Sequence, residues 1–240
     1  MRNSAIQTVS LSFFRFPRGA ARLWAFAMMG LARPSLRRVP DIGFWKLCGS
    51  GTGEGFTPIP NTGVYAILAT WPNLKVAQER TDSEYIFKRY QAKSEENYTL
   101  FMSTLSARGI WSGAAPFDSN PVSDTGPIAA LTRATISPLA ALSFWRRVPD
   151  ISSVIGQDPN VAFKIGIGEI PLLHQITFSV WPDTHVMANF ARKDGPHARA
   201  IKAVRDGNWF REELYARFRI LDSRGTWHGR DPLEHLRHAA

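Results

Sequence analysis

The sequence predicts an α+β fold made by doubling one unit. Three observations carry that expectation. The hexapeptide Arg37-Arg38-Val39-Pro40-Asp41-Ile42 returns unchanged as Arg146-Arg147-Val148-Pro149-Asp150-Ile151. The pair Trp71-Pro72 returns as Trp181-Pro182, and the pattern R-G-x-W-x-G at 108–113 returns at 224–229. The matches keep their order at an offset of about 110 residues, which is the signature of a repeated structural unit. Each copy reads β-α-β-β-α-β, the ferredoxin-like order. One such unit leaves a sheet face bare, and two can bury those faces against each other with helices outside, giving a barrel of the dimeric α+β kind within a single domain. The copies are expected at 9–113 and 127–228. A Pro-, Ser- and Asp-rich linker at 114–126 joins them, and a loosely held charged tail is expected at 229–240.

The elements follow in order. Aromatic and β-forming residues predict a strand over 9–16. Residues 21–39 carry a helical pattern with Leu23, Phe26, Ala27 and Gly30 on one stripe, expected to be the buried one; Pro34 interrupts it. A short strand at 44–48 precedes a loop dense in Gly, Thr and Pro at 49–63. The continuous apolar run 64–70 reads as a central strand. Pro72-Asn73 opens a charged helix over 74–96, and a strand at 98–105 closes the copy. The second copy repeats this: strand 128–136, helix 139–148, strands 161–167 and 174–181, a helical stretch from 184 to 213 broken at Asp194-Gly195-Pro196, and a closing strand 215–221. The apolar segment 23–32, preceded by Arg15, Arg18 and Arg22, imitates a secretory leader. It is too short to span a bilayer and lacks a small-residue cleavage site, so it reads as a buried helix of the fold.

Composition narrows the function. A chain of 240 residues that is 44% hydrophobic can bury a core without staples. The net charge of +9 suits an anionic membrane surface or an acidic protein partner. Nucleic acid ranks last, because the arginines are scattered and no zinc finger, glycine-rich RNA motif or basic helix appears. Cys48 is the only cysteine, which excludes an internal disulfide and points to a reducing compartment. No nucleophile elbow, no H-E-x-x-H and no zinc-spaced Cys/His cluster occurs. An enzyme built this way leaves the hard step to a bound cofactor.

Among the histidines, His197 follows a helix-restart signal with Asp194 as cap and Pro196 in the first turn. His197, Ile201 and Val204 then share a stripe, so the imidazole faces inward, where it can ligate haem iron or simply bond a carbonyl. His174 opens the strand whose counterpart begins with Val64, so a metal-competent group stands in one copy where the other has an aliphatic. His185 and His228 are unremarkable by position. The loop Gly49-Ser50-Gly51-Thr52-Gly53-Glu54-Gly55 lacks both the P-loop ending and the dinucleotide spacing, and reads as a flexible loop or pocket lid. Glu54 and, in the partial counterpart Gly166-Ile167-Gly168-Glu169, Glu169 are candidate polar pocket residues.

The run Gly43-Phe44-Trp45-Lys46-Leu47-Cys48-Gly49-Ser50-Gly51-Thr52-Gly53-Glu54-Gly55-Phe56-Thr57-Pro58 resembles the spheroidene monooxygenase family. So do Phe163-Lys164-Ile165-Gly166-Ile167-Gly168-Glu169, His174-Gln175, Gly195-Pro196-His197-Ala198-Arg199-Ala200-Ile201 and Trp209-Phe210-Arg211-Glu212-Glu213-Leu214-Tyr215-Ala216-Arg217-Phe218. The resemblance implies a haem-dependent ketolase of acyclic carotenoids in purple photosynthetic bacteria, using O2 and reduced ferredoxin. Two hydroxylations at C-2 of spheroidene would give a geminal diol that loses water to the ketone spheroidenone. It implies haem b, with His197 as first choice for the axial ligand and His174 and Cys48 as alternatives, and Arg199 toward a propionate. A long apolar channel would be lined by Trp45, Phe56, Trp71, Phe163, Phe178 and Trp181. The implied location is cytoplasmic, peripheral to the photosynthetic membrane. Two other readings stay open: a haem lyase like aldoxime dehydratase, and a non-catalytic haem- or carotenoid-binding module.

Overall fold

Eight antiparallel strands close on themselves in the order β1-β3-β2-β6-β7-β5-β8-β4. The computed structural model of the chain describes residues 6–53, 55, 57–120, 125–141, 144–145, 160–192 and 209–237. The strands are β1 (Thr8–Arg15), β2 (Trp45–Gly51), β3 (Pro60–Trp71), β4 (Glu96–Gly109), β5 (Ile128–Ile136), β6 (Phe163–Gly168), β7 (His174–Trp181) and β8 (Phe210–Gly225). The helices among the described residues are α1 (Ala20–Leu31), α2 (Arg33–Leu36), α3 (Leu74–Ser83), α4 (Tyr85–Lys93), α5 (Thr184–Arg192) and α6 (Glu234–Arg237). Closure leaves unpaired edge only along the short contact of β2 with β6, which limits the usual site of edge-to-edge association. From β4 the first half runs β4-β1-β3-β2; from β8 the second runs β8-β5-β7-β6. The halves meet along a long β4–β8 seam and a short β2–β6 seam, where Gly49 pairs with Gly168 and Ser50 with Ile167.

Alternation along the strands sorts side chains into two cores. Val9, Leu11 and Phe13 point into the barrel with Leu100, Phe163, Phe178, Phe218 and Trp227. Phe14, Tyr65, Ile67, Ala69 and Phe101 point outward and pack against the first half's helices through Ala25, Met28, Ala77, Phe87 and Tyr90. Burying a Leu- or Phe-sized side chain contributes about 1.5–3 kcal/mol, so both cores hold the barrel closed.

Four sequence expectations need correction. The stripe of α1 expected to be buried is the exposed one: Leu23 is 74% and Phe26 68% exposed. The helix seats the small Ala25 with Met28 on the sheet, its C-cap Ala32 is buried beside them, and Trp24 reaches Phe16 and Tyr90. Close approach of helix to sheet selects the small face and turns the bulky one outward. The single charged helix over 74–96 is two, because Glu84 is extended and its carboxylate is held by Arg80 at 3.1 Å. Residues 210–213 belong to β8, not to a helix; pairing with β5 extends that strand backward to Phe210. The tail is not loose over its described part, since Leu233 and Leu236 are buried against the barrel core. Pro34 stands in the first turn of α2, where its missing N–H costs nothing. The predicted strands 128–136 and 174–181 coincide with β5 and β7.

Candidate functional site

The short β2–β6 seam is where chemistry collects. Bare glycines line it, so nothing but backbone covers the sheet at Gly49 and Gly168. The loop after β2 folds across to the second half: Ser50 Oγ donates to the Gly166 carbonyl at 2.8 Å, and Gly55 rests directly on the Gly166 backbone. Gly55 has φ of 91°, and a Cβ there would collide with the Gly166 carbonyl. Only glycine meets both demands. Two cavities border the seam and share Ser50 and Asn61. The smaller, about 220 Å³, is walled by Tyr65, Ile167, Glu169, His174 and Gln175 and lipped by Phe26 and Met29. The larger, about 840 Å³, is walled by Val64, Phe163, Ile165 and Trp227, with Arg15, His228 and Arg230 at its rim. Only the larger falls in the range of about 300–1,000 Å³ common to small-molecule sites.

A charged network closes the barrel end beside the smaller cavity. Glu169 takes Lys46 at 2.9 Å on Oε1; on Oε2 it accepts from the Trp111 indole at 2.8 Å and meets His174 Nδ1 at 3.1 Å. Burial pushes the Glu169 carboxyl up, but the hydrogen bonds from His174, Lys46 and Trp111, with the Lys46 charge, outweigh it and hold the group down at about 2. An ionised carboxylate only accepts, so His174 Nδ1 is the donor, and in the neutral ring Nε2 keeps its lone pair. Arg133, 1% exposed, pairs with Glu212 at 2.6 Å and lies over the Trp111 ring at 5.5 Å. Glu212 also receives the Ser112 and Gly113 amides, each at 3.0 Å, and so pins the Trp111 turn. At the opposite end Arg15 pairs with Glu96 at 3.1 Å and covers Trp227 at 4.7 Å, while Glu96 receives the Gly229 amide at 2.7 Å.

The predicted site residues fare unequally. Glu169 and His174 come together. Cys48 lies inside the barrel core, fully buried; burial first, and then the Glu169 charge, push its thiol up and away from thiolate. His197, Arg199, Glu54 and Phe56 lie outside the described residues. The aromatic set does not share one wall. Phe163 and Phe178 stack inside the barrel with Phe13. Trp45 and Trp71 belong to the outer core of the first half. Trp181 sits against Phe190 of α5 and donates to Ser179. Strand parity explains the split: Trp71 and Trp181 follow alternate positions to Leu68 and Phe178, and so leave the barrel. Sequence reasoning missed Lys46, Arg133, Trp111 and Glu212. The signals were present: Arg133 is a lone charge in an apolar strand, and Trp111 belongs to the repeated R-G-x-W-x-G.

No family model matches the chain. Spheroidene monooxygenase of Rhodobacter capsulatus is 50% identical over 227 residues, covering 93% of this chain and 94% of that one. Spheroidene monooxygenase of Cereibacter sphaeroides is 49% identical over 230 residues, 95% of this chain and 71% of that one. The Rubrivivax gelatinosus protein of the same name is 32% identical over 211 residues, with coverage of 88% and 81%. Among solved structures, an aldoxime dehydratase in complex with butyraldoxime superposes with a TM-score of 0.63 at 10% identity, over 98% of this chain and 86% of that one. A second aldoxime dehydratase gives 0.61 at 10% identity, over 92% and 83%. That likeness is one of fold.

Proposed function

This chain belongs to the spheroidene monooxygenase family, and from that premise we propose that it is a haem-dependent monooxygenase converting spheroidene to spheroidenone. The observation that carries the reading is 50% identity extending over 93% of the chain and nearly all of the relative. Each of two hydroxylations at C-2 takes one oxygen atom of O2 into a C–H bond and releases the other as water, with two electrons and two protons consumed. The geminal diol then loses water to give the ketone. Reduced ferredoxin supplies the electrons, and the net charge of +9 favours an acidic donor. The protein works on the cytoplasmic side as a peripheral enzyme. No helix among the described residues is long and apolar enough to cross a membrane.

We read the two halves as duplicated ferredoxin-like copies, because Arg15, Glu96 and Trp227 repeat the arrangement of Arg133, Glu212 and Trp111. The copies differ on their outer sheet faces. With Arg15 set against Arg133, Phe14 and Phe16 of the first correspond to Thr132 and Ala134 of the second; with Trp71 set against Trp181, Tyr65 and Ile67 correspond to Gln175 and Thr177. The first face is packed by large apolar groups. The second is small and polar, and the Gln175 amide nitrogen is buried there without a hydrogen-bond partner. This contrast supports a haem b seated between the second sheet and its helices, which leaves His197 the first choice of axial ligand and Arg199 a propionate partner. His174 is the alternative, oriented by Glu169 as metal-bound histidines commonly are. Haem, when bound, supplies the activation of dioxygen. The chain's own residues orient His174, exclude water through the apolar barrel, and hold Glu169 ionised.

The test is reconstitution. Purified protein with haem, reduced ferredoxin and O2 should yield spheroidenone from spheroidene, and none without O2. Turnover of an aldoxime in the absence of O2 would replace this reading with a lyase. Binding of haem or pigment without turnover would make the chain a carrier. Spectra of His197→Ala, His174→Ala and Cys48→Ala identify the ligand: the Soret band should be lost in His197→Ala and kept in Cys48→Ala.

A further inference from the structure

The outward face of α1 is apolar from end to end. Its exposed residues are Ala20, Leu23, Phe26, Ala27, Gly30 and Leu31. The neighbouring helices behave otherwise: α3 exposes Lys75, Glu79, Asp82 and Ser83, and α4 sets Lys88 and Lys93 among its exposed Tyr85 and Ala92. A helix with one side on the protein core and the other apolar to solvent has an unmet partner. Its flanks are basic. Arg18 precedes it and Arg33, Arg37 and Arg38 follow it, all exposed. No acidic residue occurs before Asp41, so this segment carries most of the net positive charge. The apolar face continues to the mouth of the smaller cavity, whose lip is made by Phe26, Met29, Ile170 and Leu172, with Ile59 63% exposed beside it.

We propose that α1 is a docking surface for an anionic lipid bilayer, with the smaller cavity opening into the hydrocarbon. An apolar helix face bordered by arginines matches the headgroup boundary, where the face enters the acyl region and the guanidinium groups meet acidic lipid headgroups. A second copy of the chain fits poorly, because a two-fold contact through α1 would oppose the same arginines with no acid in the segment to pair them. The function of this surface as an entry for the substrate rests on the carotenoid reading above: the end of a polyene can pass from the bilayer to the cavity mouth at Phe26 without crossing water. The docking itself does not depend on that reading.

Flotation with vesicles tests it, comparing phosphatidylcholine alone with phosphatidylcholine containing phosphatidylglycerol. Wild-type protein should float with the anionic vesicles and release in high salt. Leu23→Ser with Leu31→Ser, both at solvent-facing positions, should cut that binding by about tenfold or more while far-UV circular dichroism is unchanged. Arg37→Gln with Arg38→Gln should weaken binding to anionic vesicles alone. As a second measurement, Leu23→Cys carrying an environment-sensitive fluorophore should shift to the blue on anionic vesicles, and Lys75→Cys on α3 should not; Cys48 is buried and stays unlabelled. Wild-type binding that survives the serine pair, or no vesicle binding at all, overturns the proposal. So does a wild-type dimer that the serine pair dissociates, which would make α1 a contact between copies. Vesicle binding lost in the serine pair, with no spheroidene conversion by any protein in detergent, would leave the docking intact and remove the carotenoid reading.

Discussion

Glu169 shows how one side chain ties the site to the stability of the barrel. Its carboxyl is 10% exposed and held at about 2 against an ordinary value of 4.5. A carboxylate depressed in the folded state stabilises it fully above the ordinary value, and that contribution fades as the pH falls toward the folded one. Unfolding measured by urea should therefore show stability declining between about pH 4.5 and 2, with a shallower slope in Glu169→Gln. Glu96 and Glu212 are also held low against the opposing effect of burial, by amide and arginine partners, so the difference between wild type and variant isolates Glu169. At neutral pH the same substitution should cost on the order of 2 kcal/mol, typical of losing charge-assisted hydrogen bonds. Arg133→Ala should also destabilise, by about 1.5–3 kcal/mol, because it removes a charge-assisted hydrogen bond from Glu212 at the Trp111 turn. At this scale the sequence was half legible. His174 stands out as a polar group opposite Val64, and Glu169 as the counterpart of Glu54 in a glycine-rich loop. Lys46 and Arg133 do not, because a charge on a strand is ordinarily solvated and only its neighbours across the barrel tell otherwise.

Elements were read best where one face is uniform. β5 and β7 are rich in β-forming residues and fall on their predicted spans. β2 runs past its predicted end because Gly49 and Ser50, which carry no strand signal of their own, are paired by β3 and β6. α1 was found, but its orientation was reversed, since its pattern offers two apolar faces and periodicity cannot choose between them. The glycine-rich loop makes a sharper prediction. Gly55→Ala combines a left-handed backbone with a collision against Gly166, whereas Gly53→Ala, at φ of 58°, meets only the Thr57 methyl at 3.3 Å. Gly53→Ala should cost about 1 kcal/mol and Gly55→Ala clearly more, with amide hydrogen exchange around 50–60 rising only in the latter. Retention of the wild-type exchange pattern in Gly55→Ala would mean that the loop does not lie on β6.

For the whole molecule, closure is the governing fact. The tail completes it: Leu233 and Leu236 bury at the barrel end, 3% and 7% exposed. Deleting residues 230–240 removes two leucines of about 1.5–3 kcal/mol each. The melting temperature should fall by about 10 °C, at 2–4 °C per kcal/mol for a chain of this size; an unchanged melting curve would show the tail to be dispensable. By itself the sequence determined most of the order of strands and helices, the inward alternation that fills the barrel, and the resemblance that names its relatives. Those are local or periodic properties, written in consecutive residues. Only the tertiary structure decided which face of α1 meets solvent and which aromatic residues share a wall. It also brought Lys46, Trp111, Arg133, Glu169, His174 and Glu212 into one network. Those residues lie on different strands and turns, and their meeting depends on how the two halves are sewn along β2–β6 and β4–β8, a register that no single stretch of chain encodes.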